Sequence, residues 1–118
     1  MNIYLAGGMK GDWQDKVMEK LPEHIFFDPR SHGLTDPKEY TAWDLDHVYK
    51  SDLIFACFTA DNPLGSGMVL EIGNAYAHGI PIILVDEKNL KSWDMVRECC
   101  AYITDNLDYG INYIKELI

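Results

Sequence analysis

Basic side chains, paired cysteines and long apolar runs are all scarce in this sequence. Lys and Arg total 10 against 19 Asp and Glu, a formal net charge of -9 over 118 residues. An acidic surface repels the phosphates of a nucleic-acid polymer and no basic cluster offsets it, so no polymer partner is expected. Cys57, Cys99 and Cys100 are odd in number and form no Cys-x-x-Cys pair, which points to reduced thiols and away from a zinc site or a disulfide framework. His24, His32, His47 and His78 are scattered without ligand spacing, and no metal is expected. No apolar run reaches the length of a membrane span, and Met1 to Tyr4 lead straight into a strand-like segment. A signal peptide needs a basic start and a longer apolar stretch, so no membrane contact and a cytoplasmic location are expected. Three catalytic and nucleotide-binding fingerprints are missing as well: the Gly-Lys-Ser/Thr of a P-loop, G-x-G-x-x-G and the nucleophile elbow G-x-S-x-G.

What is present reads as one globular domain over residues 1–118, with 47% hydrophobic and 25% charged residues. Short apolar runs alternate with amphipathic stretches. Ile3 to Ala6 is expected as the first strand, ended by Gly7-Gly8, and Asp12 to Leu21 as a helix stopped by Pro22. His24 to Phe27 is the second strand. Asp36-Pro37 opens a helix with Pro at its first turn, burying Ala42, Leu45, Val48 and Tyr49. Leu53 to Phe58 is a continuous apolar run, as a parallel strand covered on both faces requires. A loop over Asp61 to Gly67 leads to a helix from about Gly67 to His78, with Met68, Ile72, Ala75 and Tyr76 inward and Gly79 as its stop. Ile80 to Val85 is the fourth strand, Trp93 to Cys100 a helix, Ala101 to Thr104 the fifth strand, and Asn106 to Ile118 the closing helix. Alternating strands and helices predict a doubly wound α/β parallel sheet in the flavodoxin-like order 2-1-3-4-5. Its ligand is expected beyond the carboxyl ends of strands 1 and 3.

That rule selects Gly7 to Lys10, Asp61 to Gly67 and Asp86 to Trp93 as the segments nearest a ligand. Glu71 falls near the start of the helix after the third strand, where the helix dipole favours a negative charge and would keep a carboxylate ionised at neutral pH. Alone, such a Glu more commonly just stabilises its helix. Asp44 and Asp46 alone read as a solvated helix face, Tyr4 as a core aromatic, and Trp43 and Trp93 as packing residues or the walls of a base pocket.

Four segments in order change that balance. Ile3-Tyr4-Leu5-Ala6-Gly7-Gly8 opens the chain; Asp44 to Asp52 fits D-L-x-x-[IVL]-x-x-[SNA]-D; Gly67 to Ala75 fits G-x-x-x-E-[IL]-G-x-A; and Asn89-Leu90-Lys91-Ser92-Trp93 fits N-L-x-S-W. Together these resemble the nucleoside 2-deoxyribosyltransferase family, including its nucleotide-hydrolysing relatives, over nearly the whole chain. The resemblance implies Glu71 as nucleophile, Tyr4 as the tyrosine that positions it, and Asp44 as an active-site acid. It implies substrate contacts at Gly7, Gly8, Asp61, Gly67, Met68, Asn89 and Ser92, with Asn89 reaching a neighbouring subunit's site in a homo-oligomer. The implied partners are a deoxynucleoside or deoxynucleotide and a free base, with no cofactor.

Two departures bear on substrate. Some transferases carry an aspartate six residues before the nucleophile to help hold the base; that position is Gly65, and Asp61 is the nearest acid. The nucleotide hydrolases usually carry a serine for the 5'-phosphate where this chain has Gly8, although Lys10, Ser66, Ser92 and Arg97 remain possible phosphate contacts. The expectation is therefore transfer between bases. The alternatives are N-hydrolysis of 2'-deoxynucleoside 5'-monophosphates and a nucleotide-binding sensor domain without turnover.

Overall fold

A computed structural model describes residues 1–117. Five parallel strands, β1 (Asn2–Gly7), β2 (Ile25–Phe27), β3 (Leu53–Phe58), β4 (Ile82–Asp86) and β5 (Tyr102–Thr104), form one sheet in the order β2-β1-β3-β4-β5. The α-helices are α1 (Trp13–Lys20), α2 (Pro37–Tyr49), α3 (Ser66–Ala77), α4 (Asp94–Glu98) and α5 (Leu107–Glu116). The architecture and strand order are those expected, and most element boundaries agree within two residues. The expected end of the closing helix, Ile118, lies outside the described residues. Asn106 starts that helix as a side-chain cap, accepting the Tyr109 N–H at 3.1 Å. The single helix expected over Trp93 to Cys100 is instead a 3-10 turn, Lys91–Trp93, followed by the short α4. Among the described residues, no helix is long and apolar enough to cross a membrane.

Strand parity divides the core into two layers. Ile3 and Leu5 face α1 and α5, packing with Val17, Phe55, Ile111 and Ile114. Tyr4 and Ala6 point the other way, toward Val48 of α2 and Met68, Ile72 and Ala75 of α3. Every residue of β3 is buried, which is why its sequence shows no polar alternation.

Two helix faces differ from expectation. On α2 only Val48 is buried; Leu45 is half-buried, while Ala42 and Tyr49 are exposed. Residues 41, 44, 45 and 48 share one helical face, whereas 42 and 49 sit about 100° around from it. The inner face of α2 is thus spent partly on a cavity wall rather than on core. On α3, Tyr76 is 60% exposed because it lies one step past Ala75, beyond the stripe of Met68, Ile72 and Ala75.

Candidate active site

The parity of β1 that buries Ile3 against α1 sends the Tyr4 ring under α2 and α3. Tyr4 is fully buried, and its hydroxyl donates a hydrogen bond to Oε2 of Glu71, which is 8% exposed. Glu71 shares the inner face of α3 with Met68, Ile72 and Ala75. Asp44 approaches from α2, close enough that both carboxylates act on the phenol. Burial first, then the negative charges of Glu71 and Asp44, push the Tyr4 pKa far above its ordinary range. Tyr4 therefore remains a proton donor.

Glu71 stands in a different setting from the one expected, a carboxylate near the helix start kept ionised by the dipole. It is the sixth residue of α3, beyond the first turn where the dipole acts. Burial pushes its pKa up to about 8, the Tyr4 hydrogen bond pulls it down, and the Asp44 charge pushes it up again. Burial therefore favours keeping a proton on the carboxyl pair near neutral pH. Asp44 is also raised by burial, with His32, Tyr4 and His47 opposing. These are two coupled acids around one phenol, and their protons belong to the pair.

Both carboxyl groups open onto a cavity of about 580 Å³ beyond the carboxyl ends of β1 and β3. Of the residues expected around the substrate, Gly7, Gly67 and Met68 line it. Met9 lines it too, as an apolar wall. Gly8, Asp61, Asn89 and Ser92 stand outside the lining. Asp61 accepts a hydrogen bond from the Thr59 hydroxyl at 2.6 Å. Gly8 turns its carbonyl inward to the Gln14 side-chain amide at 2.9 Å. Asn89 adopts a left-handed φ of 52°, fixed by its N–H donating to Asp86. Trp93 is core, stacked on Phe58 at 4.1 Å, and Trp43 stacks on His47 at 3.7 Å; neither lines the cavity. Arg97 is bound to Asp86, Asp94 and the Leu90 carbonyl.

Sequence reasoning missed His32, Tyr40, Thr41 and Leu70 in the lining, whereas Asn62 to Gly67 belong to the loop it selected. Tyr40 and Thr41 precede Asp44 by four and three residues, a helical spacing that places them on its face. His32 comes from a loop, where no periodicity marks it.

Two glycines set the shape. Gly7 has φ +154°, and a Cβ there would lie 2.5 Å from the Cys57 carbonyl oxygen. Gly65 has φ +64°, and a Cβ would meet Trp93 at 2.9 Å and Phe58 at 3.0 Å. Gly65 turns the loop into α3 without a side-chain cap. Among the described residues the Ser66, Gly67 and Met68 N–H groups have no partner, and all three residues line the cavity. Lys88 braces this loop, donating to the Asn62 and Pro63 carbonyls.

Comparison with known proteins bears directly on this arrangement. A family model described as "Nucleoside 2-deoxyribosyltransferase like" matches residues 1–89 of the 118. The chain belongs to this family. The match covers Tyr4, Asp44, Glu71 and Asn89, and stops short of Ser92. Comparison with curated protein sequences finds no match. Among solved structures, a 2-deoxyribosyltransferase of Bacillus psychrosaccharolyticus is 23% identical, with TM-score 0.77 over 96% of this chain and 92% of that one. A CMP N-glycosidase of Clostridium botulinum is 19% identical, with TM-score 0.69 over 100% of both chains. A 2-deoxyribosyltransferase of Leishmania mexicana is 16% identical, with TM-score 0.73 over 98% and 97%. At these identities the likeness establishes the shared fold.

Proposed function

We propose that this chain is a nucleoside 2-deoxyribosyltransferase acting on 2'-deoxynucleosides through a covalent deoxyribosyl-Glu71 intermediate. The observation that carries this reading is the Tyr4–Glu71–Asp44 cluster on the wall of a cavity whose lining contains no Lys or Arg. A neutral nucleoside enters such a pocket without the penalty a phosphate dianion meets beside two carboxyl groups.

The competent state carries one proton on the carboxyl pair, with Glu71 ionised and Asp44 protonated. Binding must favour that arrangement over the one with the proton on Glu71, whose burial raises its pKa. Positive charge developing at the sugar's anomeric carbon does this, because it stabilises the anion beside it. Glu71 then forms the bond to the anomeric carbon as the bond to the base nitrogen breaks, and the Asp44 proton passes to the departing base. A second base reverses the sequence: Asp44 takes its N–H proton, its nitrogen attacks the sugar, and Glu71 is released. Tyr4 donates to Glu71 and holds its orientation.

One set of observations favours N-hydrolysis of a deoxynucleoside 5'-monophosphate as a second reading. The Clostridium botulinum CMP N-glycosidase aligns over the full length of both chains, and the unpartnered amides opening α3 offer an anion three donors. The deciding experiment incubates the protein with a 2'-deoxynucleoside and excess second base, and separately with a 5'-monophosphate. New nucleoside in the first mixture, and a deoxyribosyl adduct mapped to Glu71 by digestion and mass spectrometry, support transfer. Free deoxyribose 5-phosphate from the second mixture with no exchange in the first replaces it with hydrolysis. An adduct on another residue overturns the nucleophile.

A further inference from the structure

Asp44 is faced by Tyr4 from β1, by Glu71 from α3, by His47 from its own helix, and by His32 from the loop after β2. Its Oδ1 is buried and has no aligned hydrogen bond. His32 Nε2 stands 3.3 Å from it.

The placement of that imidazole is determined on several sides. Nδ1 accepts the Leu34 N–H at 2.9 Å, so the ring proton sits on Nε2, the nitrogen nearest Asp44. The ring's edge meets Trp43 at 4.8 Å and 66°. Trp43 in turn stacks on His47 at 3.7 Å and 17°, and His47 Nδ1–H donates to the Trp43 carbonyl at 2.7 Å. A histidine side chain 8% exposed, fixed by a backbone amide and an edge-on contact with Trp43, is held more firmly than a simple cavity wall needs.

We infer that His32 is a positioning residue for Asp44: its Nε2–H aims the carboxyl group and stabilises the carboxylate left when Asp44 gives its proton to the departing base. This rests on the deoxyribosyl-transfer reading for its role in turnover, although the pairing itself does not. The 3.3 Å separation suits a contact that tightens as charge appears on Asp44, since a charge-assisted hydrogen bond is shorter and stronger than a neutral one. Bond making and breaking remain with Glu71 and Asp44; His32 keeps its proton throughout.

The test combines a double-mutant cycle with a measurement independent of turnover. His32→Ala should lower kcat by about tenfold or more with KM changed less than about threefold. His32→Gln, whose side-chain amide can place an N–H near the Nε2 position, should recover most of that loss. In an Asp44→Asn background, His32→Ala should cost less than about twofold further, because the group it positions is gone. An undiminished loss in that background would show that His32 acts elsewhere and overturn the inference. Carbon-13 NMR of the Asp44 carboxyl supplies the second readout: its titration midpoint should rise in His32→Ala while the amide fingerprint stays native. An unmoved midpoint overturns the pairing. A midpoint that rises in His32→Ala, while the wild-type protein turns over no deoxynucleoside, would instead sink the transfer reading and leave the pairing standing.

Discussion

Tyr4 and Glu71, 67 residues apart in sequence, are joined by a buried hydrogen bond from the phenol to Oε2. The bond exists because β1 has the parity that turns Tyr4 toward α3, and because Gly65 starts α3 where its inner stripe passes over that ring. Buried phenol and buried carboxyl satisfy each other, which removes the cost either would carry alone. The same bond fixes one carboxyl oxygen, leaving the other for chemistry.

Tyr4→Phe tests that fixing role. It removes the donor and keeps the ring that packs beneath α2 and α3. The expected result is a fall in kcat of about 10- to 1000-fold with KM little changed, since the bond gains strength as Glu71 ionises. Steady-state kinetics on one deoxynucleoside reads this directly. A mutant that loses affinity but keeps kcat would assign Tyr4 to substrate binding instead.

The carboxyl pair predicts the form of the pH–rate profile. One proton on the pair is required, and burial holds Glu71 at about 8 in the free protein. As pH rises past that value both groups ionise, no acid remains for the departing base, and kcat/KM should fall. Below the lower pKa of the pair both are protonated and the nucleophile is lost. A bell with its upper limb near 8 is expected. A rate that climbs through pH 8 and stays high would mean that Glu71 works alone as the nucleophile.

Stability should carry the same signature with a definite sign. The Glu71 pKa rises from an ordinary 4.5 to about 8 on folding. Between those values the unfolded chain has released its proton and the folded protein still binds one. The stability contributed by protonated Glu71 is therefore full below 4.5 and is lost as pH rises toward 8. Glu71→Gln, neutral at every pH, escapes the loss. At about 1.4 kcal/mol per pKa unit, the mutant should gain a few kcal/mol on wild type across this window. Urea melts at pH 5 and pH 8.5 measure it; a constant difference would show that Glu71 ionises in the folded state as it does in water.

The alternation of β3 and β4 with their helices was legible because buried parallel strands write continuous apolar runs, and Leu53 to Phe58 is one. Tyr4, Asp44 and Glu71 were legible through short motifs, and the fold brings the three together. The ionisation of Glu71 was not, because it depends on how deeply the α2–α3 contact buries the carboxyl group, which no local pattern records. The exposed sides of Ala42, Tyr49 and Tyr76 were misread because one helical step moves a residue off the stripe. His32 stands in a loop whose path is set by side-chain hydrogen bonds, and loops carry no period to read.

Asp44→Asn separates proton donation from mere positioning. General-acid help matters most when the departing base is a poor leaving group. The asparagine mutant should therefore lose little on a substrate with a readily departing base and about 100-fold or more on one whose base leaves poorly. Comparing kcat across deoxynucleosides with leaving bases of graded acidity measures the slope. Equal losses throughout would leave Asp44 a hydrogen-bonding contact and remove it as the acid.

Asn89 supplies the last prediction, because its backbone is fixed while it stands outside the cavity of its own chain. Its backbone is held in a left-handed turn by the buried Asp86, which also binds Arg97, and it stands outside the lining of the cavity. A residue held that firmly, in a motif resembling one that serves a neighbouring subunit, is expected to complete a partner's site. Glu71→Ala and Asn89→Ala should each be inactive alone. In a mixed dimer one site lacks both groups, while the other keeps Glu71 and receives an intact Asn89. Mixing the two mutants should thus restore activity approaching half of the hybrid's sites, after subunit exchange. Light scattering that finds only monomer at assay concentration, or a mixture as inactive as its parts despite demonstrated exchange, would remove Asn89 from the catalytic arrangement.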